Sequence, residues 1–490
     1  MVKEFFKGSI WLITTSFFVK LLSFITISVL AYFLSLEEVG IYTLIYSFVI
    51  SLQGFSGLGV GLALQRFVSK NENNPNAISS AFTSGFFVQV VSLTIVFIVL
   101  ILFSDFFLRA YFNNLIEFKF YALAIIYLIF QAASEFIINL LVGLKEFRLH
   151  SLRLLLLSFL LFLFSFFGSY LFGLQGALVG LVVASMINLL ISISVLIRMS
   201  QKFNLRVFTW QLPNFLLIRN LFRDGFPYYL GNTMVGSVSS LIVFGLLAKS
   251  VRLEDLAYFR IGQSLGSIIS FAPAVVSPVS ISLLSGISSE FDKNRLKKIQ
   301  IDLVVFFVLI GIAIINIFTK EIVLILFGSK YLAGADQFSF YSIYLFLNVL
   351  AGIFGNFIIS RDLSYKFSYI STVGVGILLL ITFYLTPGIG IDGYIWGLII
   401  GQFFGLVWLM TIEVSHNQLM LKVLLRLSLI VFLFLFVVTS IKYFDFDLLH
   451  RVLSFLLLIT LSIYCFVKII ADEEFIKKIK SFFVKKIVIH

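Results

Sequence analysis

Long apolar runs, separated by short polar clusters, follow one another along almost the whole chain. Many of these runs reach the roughly 20 residues that a helix needs to cross the apolar part of a bilayer. The alternation typical of membrane β-strands does not occur, so helices are the expected spanning elements. The pattern predicts about fourteen transmembrane helices, at 9–33, 41–64, 79–104, 119–142, 154–172, 177–199, 226–248, 256–284, 299–319, 337–359, 368–386, 394–413, 423–442 and 452–471.

Charged and rare residues narrow the class of protein further. Of the 490 residues, 60% are hydrophobic and 12% are charged, whereas a soluble domain is about one quarter charged. The net charge of +12 is typical of basic cytoplasmic loops and does not by itself indicate nucleic acid. One cysteine, Cys465, and four widely spaced histidines form no metal-binding or catalytic motif. We expect an all-α polytopic membrane protein with no metal, no other cofactor and no nucleic-acid partner.

The distribution of lysine and arginine predicts the orientation of the helices. With the N-terminus in the cytoplasm, the inside segments hold 26 of these residues and the outside loops hold 9, while Lys20 lies within the first span. Such an excess marks the cytoplasmic side of short loops. Both termini are predicted to be cytoplasmic, in a multi-pass protein of the inner (cytoplasmic) membrane. The basic, partly apolar segments at 200–225 and 472–490 are expected to lie along the membrane surface.

Two stretches of the sequence occur twice at one separation. The stretch "SLEEVGIYTLIYS" at 35–47 resembles "RLEDLAYFRIGQS" at 252–264, so that position 253 lies 217 residues after position 36. The stretch "GLQGALVGLVVA", which begins at Gly173, resembles "GIDGYIWGLIIG", which begins at Gly390, again 217 residues later. A weaker pair, at 143–152 and 360–369, has the same separation. A constant separation at three places indicates an internal duplication.

The duplication predicts the architecture. Spans 1–6 and 7–12 are two copies of a six-helix unit, and because six is even, both copies run in the same direction through the membrane. Two such lobes around a central cleft are typical of alternating-access transporters. The acidic stretch is then the external hairpin between the first two helices of each lobe, where the small Gly40 or Ala257 allows a tight turn. The predicted domains are an N-terminal lobe (1–217), a C-terminal lobe (218–420), two extra spans (421–471) and a basic amphipathic tail (472–490).

These features resemble a known group of membrane proteins. Two six-helix lobes, "LSLEEVGIY" after the first helix, "GLQGA" between the fifth and sixth helices, and two extra C-terminal spans are similar to one branch of a transporter superfamily. This is the polysaccharide-transport branch of the multidrug/oligosaccharidyl-lipid/polysaccharide (MOP) exporter superfamily, which includes the Wzx-type O-antigen flippases. The resemblance covers the whole chain, but its motifs are short and structural, and they indicate the fold better than the substrate.

The resemblance implies a flippase without enzymatic activity. Its expected substrate is an undecaprenyl-diphosphate-type lipid-linked oligosaccharide, moved from the cytoplasmic to the outer leaflet by alternating access for surface polysaccharide biosynthesis. The expected partners are this substrate and the membrane lipids, with a glycan polymerase or glycosyltransferases as neighbours. We expect the protein to be a monomer.

Two cations at membrane depth are the first candidates for substrate binding. Lys20 lies near the middle of span 1, and Arg260 lies near the outer end of span 8. Charged groups are costly inside a membrane and are often functional there, and arginine can bind phosphate oxygens with two parallel hydrogen bonds. An internal salt bridge is the alternative for Lys20. For Arg260 the alternative is a side chain that reaches to the outer interface.

Uncharged polar residues in the same helices are candidates for sugar binding. Gln263 and Ser267 continue the face of Arg260 at helical spacing. Span 7 adds Asn232 and Thr233, and span 2 adds Gln53, followed by a glycine-rich run for which helix packing is the simpler explanation.

Glu135 in span 4 is the candidate for coupling to an ion gradient. It shares a helix face with Gln131 and Asn139. A carboxylate inside the membrane can carry a proton or bind sodium, although a fixed structural role is the common alternative for a buried polar group.

Two other functions compete with the flippase. A cation-coupled multidrug antiporter of the same superfamily would usually have twelve spans and would need an acidic cavity for cationic drugs. A polytopic glycosyltransferase could use Glu37 and Glu38 as paired carboxylates. The second acidic pair, Glu254 and Asp255, indicates instead that these carboxylates belong to a repeated hairpin.

Overall fold

The computed structural model of the chain describes residues 2–71, 73–206, 213–269, 290–359 and 363–416. Within these ranges the regular elements are helical and there is no β-strand, which confirms the all-α class. Eight helices in these ranges are long and apolar enough to cross a membrane, so the predicted number of fourteen is not confirmed. Spans 13 and 14, the C-terminal tail and the end of span 8 lie outside the described residues.

The N-terminal part of the chain forms seven helices, and an interruption between the second and the third divides one predicted span. The second predicted span is divided, because α2 ends at Gln53 and α3 begins at Val60. Leu58 (φ 47°) and Gly59 (φ 81°) in between have left-handed backbone conformations and interrupt the helix. The helices are α1 (Val2–Phe33), α2 (Leu36–Gln53), α3 (Val60–Lys70), α4 (Pro75–Leu102), α5 (Ser104–Ala110), α6 (Phe118–Gly143) and α7 (Phe147–Lys202).

The remaining described residues form eight further helices and two short turns of other helix types. A π-helical turn joins α8 directly to α9, so the segment between the predicted lobes runs into the next span without a loop. The elements are α8 (Phe215–Tyr229), the π-helical turn (Leu230–Met234), α9 (Val235–Ser250), α10 (Leu253–Ile269), α11 (Glu290–Ile317), α12 (Thr319–Phe327), a 3₁₀ turn (Ser329–Gly334), α13 (Ala335–Ile359), α14 (Ser364–Ile389) and α15 (Ile391–His416).

Helix α7 is a hairpin of two spans. Its 56 residues would extend about 84 Å as a straight helix, but Phe172 (φ −134°) and Gly173 (φ 56°) break it. The two arms pack closely, since a Cβ atom on Gly168 would lie 2.2 Å from the carbonyl oxygen of Gly176. A Cβ atom on Gly180 would lie 2.5 Å from the carbonyl oxygen of Phe164. Only glycine permits this approach.

The second copy of this glycine motif has the same conformation. Gly390, between α14 and α15, has a φ of 66°. A Cβ atom on Gly393 would lie 2.5 Å from the backbone nitrogen of Thr386, and one on Gly397 would lie 2.4 Å from Oγ1 of Thr382. The glycines that match in sequence therefore have matching structural roles, which supports the duplication.

The first acidic hairpin serves to begin a helix. Ser35 caps α2, because its Oγ accepts a hydrogen bond from the Glu38 N–H (3.2 Å) and the Glu38 carboxylate accepts one from the Ser35 N–H (2.9 Å). This reciprocal pair is a capping box. In the second copy, Asp255 in the first turn of α10 forms an ion pair with Arg252 at 3.2 Å. Carboxylates at these positions stabilise helix N-termini, which explains why the acidic residues recur.

Gly40 lies where α2 packs against the start of α10. A Cβ atom on Gly40 would lie 2.2 Å from the carbonyl oxygen of Leu253. The expected role of Gly40 in a tight turn is therefore wrong, since the turn lies at Ser35 and Gly40 is within the helix. The small residue is needed instead for contact between the two repeated hairpins.

The residues cluster into two compact units. The first contains Met1–Phe271, Val323–Gln337 and Ser368–Gly401, and the second contains Ala272–Ile322, Phe338–Phe367 and Gln402–His490. In the first unit a core of large apolar side chains joins α3, α4, α6 and α7, with Phe82, Phe136 and Leu140 among its members. The boundaries of these units differ from those of the predicted lobes, because α9 and α10 pack on α2. The division of the chain into two six-helix lobes therefore stays a prediction.

Helix α8 packs along one side of the first unit. Its Leu221 is buried beside Val60 of α3 and Val88 of α4. Phe215 and Leu216 on its other side are 74% and 72% exposed. An exposed apolar face is compatible with the predicted position at the membrane surface.

Candidate functional site

A cavity of about 250 Å³ lies among α1, α2, α7 and α10, within the first compact unit. Helices from both copies of the repeat line it, because α1, α2 and α7 belong to the first copy and α10 to the second. Its polar lining includes most of the site that the sequence predicts. The polar lining residues are Lys20, Ser23, Thr26, Tyr42, Tyr46, Ser158, Arg260, Gln263, Ser264 and Ser267.

Lys20 lies in the middle third of α1 and its side chain is accessible. Within the part of the chain that the structure describes, no carboxylate forms an ion pair with it. The alternative of an internal salt bridge is therefore not observed there. A lysine in this position presents its positive charge to the cavity.

Arg260 lies about two turns inside α10, and α2 holds its guanidinium group in place. The guanidinium carbon lies 4.4 Å from the centre of the Tyr46 ring, and Nη1 donates a hydrogen bond to Oε1 of Gln263 at 3.4 Å. Nε is buried and has no hydrogen-bond partner among the described residues. The Arg260 side chain stacks on Tyr46 and lines the cavity. The alternative interpretation from the sequence, in which this side chain reaches to the outer interface, differs from this arrangement.

Besides the two cations and Gln263, the polar lining consists of serine, threonine and tyrosine side chains. Thr26 and Ser267 donate hydrogen bonds to carbonyls of their own helices, and a hydroxyl oxygen in this arrangement can still accept a hydrogen bond from a ligand. Tyr42 and Tyr46, one turn apart on α2, stack with 6.2 Å between ring centres. The tyrosines and Ser158 were not predicted from sequence, although the spacing of Tyr42 and Tyr46 was a usable signal.

The cavity is basic. Lys20 and Arg260 are its charged lining residues, and none of the lining residues in the described ranges is acidic. Two cations with hydroxyl groups around them suit an anionic ligand that also carries hydroxyl groups. A cationic ligand would meet repulsion from both.

Two residues that the sequence predicts for the site, Gln53 and Thr233, are not among the residues that line the cavity. Gln53 is half-buried at the end of α2 and Thr233 is half-buried in the π-helical turn. Asn232, a third predicted site residue, lies in the same π-helical turn as Thr233, and its side chain is outside the described part.

Glu135, the predicted coupling residue, lies on α6 away from the cavity. It is within electrostatic range of Arg153 on α7, which is only 3% exposed. The charge count along the sequence treats Arg153 as a cytoplasmic loop residue, but α7 already begins at Phe147. A buried arginine in the first span of α7 is therefore a feature that the sequence prediction missed.

The second compact unit contains another buried charge pair that was not predicted. Nζ of Lys297 on α11 pairs with the carboxylate of Glu413 on α15, with side-chain exposures of 1% and 0%. Lys297 also lies 5.2 Å from the ring centre of Phe357. We assign this buried pair a structural role.

The apolar helices of the described residues are those of a multi-pass membrane protein, and the basic cavity is its candidate binding site. Solved structures share the fold at low sequence identity. The lipid II flippase MurJ in an inward closed conformation gives a TM-score of 0.71 at 15% identity, over 94% of this chain and 99% of its own. An inward-facing multidrug resistance MATE family transporter of the MOP superfamily gives 0.65 at 15% identity, over 83% and 98%. A variant of the Vibrio cholerae MATE transporter VcmN gives 0.57 at 14% identity, over 86% and 98%.

A comparison of the sequence with protein families identifies the family. The family described as "Polysaccharide biosynthesis protein" matches residues 5–284, more than half of the chain. The chain therefore belongs to the polysaccharide biosynthesis protein family, which agrees with the resemblance stated from its motifs. No curated protein sequence matches it. The structural neighbours are described as a flippase and as MATE transporters.

Proposed function

We propose that this protein is a flippase for an undecaprenyl-diphosphate-type lipid-linked oligosaccharide in surface polysaccharide biosynthesis. It moves its substrate from the cytoplasmic to the outer leaflet of the inner membrane, with both termini in the cytoplasm. The basic cavity is the observation that carries this proposal. The diphosphate binds Lys20 and Arg260, and the proximal sugar binds the surrounding hydroxyl groups.

The chemistry of the two cations supports an anionic headgroup. Arg260 presents a planar guanidinium group whose Nε has no hydrogen-bond partner among the described residues, and such a group can bind phosphate oxygens with parallel hydrogen bonds. Lys20 supplies a second positive charge from the opposite repeat copy. Alternating exposure of the cavity to the two sides by movement of the two lobes then completes the transfer. A proton or sodium gradient supplies the energy, and glycosyltransferases of the same glycan pathway supply the substrate.

A multidrug antiporter is the second candidate, because solved MATE transporters share the fold. The lining argues against a cationic drug, since both charged groups are positive. The glycosyltransferase alternative loses its support as well, because the carboxylate of Glu38 is engaged in the cap of α2.

Complementation of a deletion strain tests the proposal. Lys20→Ala and Arg260→Ala are expected to abolish surface glycan and to cause lipid-linked oligosaccharide to accumulate, with normal protein levels on an immunoblot. Lys119→Ala and Arg109→Ala, at exposed positions outside the cavity, serve as matched controls and should retain wild-type glycan. Wild-type glycan levels in both cavity variants would refute the proposed binding site.

A further inference from the structure

A second polar cluster lies where α6 packs against α7. From α6 it contains Gln131, Ser134 and Glu135, and from α7 it contains Arg153 and Ser192. The two helices are joined here by a hydrogen bond from Asn188 Nδ2 on α7 to Ser134 Oγ on α6 at 3.0 Å. Arg153 Nε donates to Ser192 Oγ at 2.7 Å and so links the two arms of α7. The side chain of Glu135 is exposed and lies within electrostatic range of Arg153.

Arg153 has hydrogen-bond donors without acceptors. Its side chain is 3% exposed, and both Nη1 and Nη2 are buried with no hydrogen-bond partner in the described part of the chain. Unpaired buried donors on a charged group are costly. Glu135 is within electrostatic range, but the described residues contain no ion pair between the two. Arg153 therefore has the groups to bind an ionised Glu135 that it does not contact in this conformation.

Gln131 has the complementary deficiency. Its Oε1 is buried and has no hydrogen-bond donor in the described ranges. Gln131 precedes Glu135 by one helical turn, so their side chains lie on the same face of α6. A protonated carboxyl group has an O–H donor, whereas an ionised one has only acceptors. Gln131 can therefore bind the protonated form of Glu135, and Arg153 can bind the ionised form.

We propose that Glu135 is a proton-carrying switch that binds Gln131 when protonated and Arg153 when ionised. The proton comes from water on one side of the membrane and returns to water on the other, and the change of partner alters the packing of α6 on α7. This inference rests on the proposed transport function, because it names the proton as the coupling ion. Gln131 and Arg153 are positioning residues for Glu135.

Few other ionisable groups surround Glu135. His150 lies one turn before Arg153 on α7, and its Nδ1 is buried without a hydrogen-bond partner among the described residues. Helix α4 has no ionisable side chain, and α3 has Arg66 and Lys70 toward its cytoplasmic end. The ionisable side chains of α2 are Glu37, Glu38, Tyr42 and Tyr46. A carboxylic acid that titrates in this region is therefore attributable to Glu135.

Infrared difference spectroscopy of the full-length protein in liposomes tests the switch without a substrate. A pH step should produce the C=O stretch of a protonated carboxylic acid. Because others of the 24 Asp and Glu residues also contribute to this band, Glu135→Gln should remove one component of it. The control Glu117→Gln, which removes an exposed carboxylate at the start of α6, should keep that component. Persistence of the whole band in Glu135→Gln would overturn the proposal.

The variants of Arg153 test its partnership with Glu135. In Arg153→Met, loss of the positive charge should move the midpoint of the band to higher pH, and Arg153→Lys should restore it towards wild type. Unchanged midpoints in the Arg153 variants would overturn the pairing. A wild-type midpoint that shifts when sodium chloride replaces choline chloride would also overturn the proposal, because the shift would show that Glu135 binds sodium. Because the spectra need no oligosaccharide, a normal band change together with wild-type glycan export in the Lys20 and Arg260 variants would count against the proposed function only.

Discussion

The guanidinium group of Arg260 stacks on the ring of Tyr46 at 4.4 Å, which joins α10 of the second repeat copy to α2 of the first. The aromatic face holds the cation at the cavity wall. A cation–π contact of this kind contributes about 0.5–2 kcal/mol. The orientation of the proposed phosphate-binding group therefore depends on a residue that carries no charge.

Tyr46→Leu should weaken transport while the protein remains folded. Loss of about 0.5–2 kcal/mol of cation–π energy corresponds to a decrease of about 2- to 30-fold in binding through Arg260, measured as surface glycan in the complementation assay at limiting expression. Tyr46→Phe is the matched control, because it keeps the ring and should retain activity. An equal loss in both variants would show that the hydroxyl group, not the stacked ring, is the important feature.

Gly40→Ala should destabilise the protein. The new Cβ atom would meet the backbone of Leu253 at 2.2 Å, and a backbone atom can move only with its helix, so we expect a cost of about 1–3 kcal/mol. Thermal unfolding in detergent, followed by tryptophan fluorescence, measures the change. Gly236→Ala, on α9 with no atom within 4 Å of the new Cβ, should be neutral or stabilising. Similar stability of both variants would contradict the close contact.

Gly390→Ala should lower stability for a conformational reason alone. The residue has a φ of 66°, with no atom within 4 Å of a new Cβ, and the left-handed conformation costs an L-residue about 1–2 kcal/mol. Gly390→Asn should cost less, because asparagine tolerates this conformation. Gly388→Ala, close by and without a positive φ, is the control. If alanine and asparagine were equally tolerated, the turn would not need its present geometry.

Lys297→Met should be strongly destabilising. It leaves the Glu413 carboxylate, which has 0% exposure, without its cationic partner, at a cost of about 3–5 kcal/mol. The double variant Lys297→Met with Glu413→Leu should recover most of this stability, because it removes both charges together. Denaturant unfolding of the wild type, Lys297→Met, Glu413→Leu and the double variant forms a double-mutant cycle. Additive effects of the two substitutions would show that the pair does not act as a unit.

Features with a local sequence signal were predictable. Gly173 and Gly390 marked the repeat because the same turn needs the same residue, and the structure gives both a positive φ. Lys20 and Arg260 were identified because a charge in an apolar run is conspicuous, and the structure brings them to one cavity. The proposed roles of these two residues stay predictions.

Features that depend on tertiary packing were not predictable. Arg153 and Lys297 precede the apolar runs of their helices and were indistinguishable from loop charges, because burial there depends on partners from distant segments. The interruption between α2 and α3 was hidden as well. Leu58 is apolar, and nothing in its side chain indicates that its backbone has a φ of 47°.

The ion pair between Lys297 and Glu413 also affects biogenesis. The two residues are 116 positions apart, so at about 5–20 residues per second the ribosome needs roughly 6–23 s to supply the second after the first. During that interval α11 has to be held at the translocon or at the interface, where water or lipid headgroups can solvate its lysine. Completion of α15 then permits the helix to settle, and a nascent chain that stops before it would be a natural target for membrane proteases.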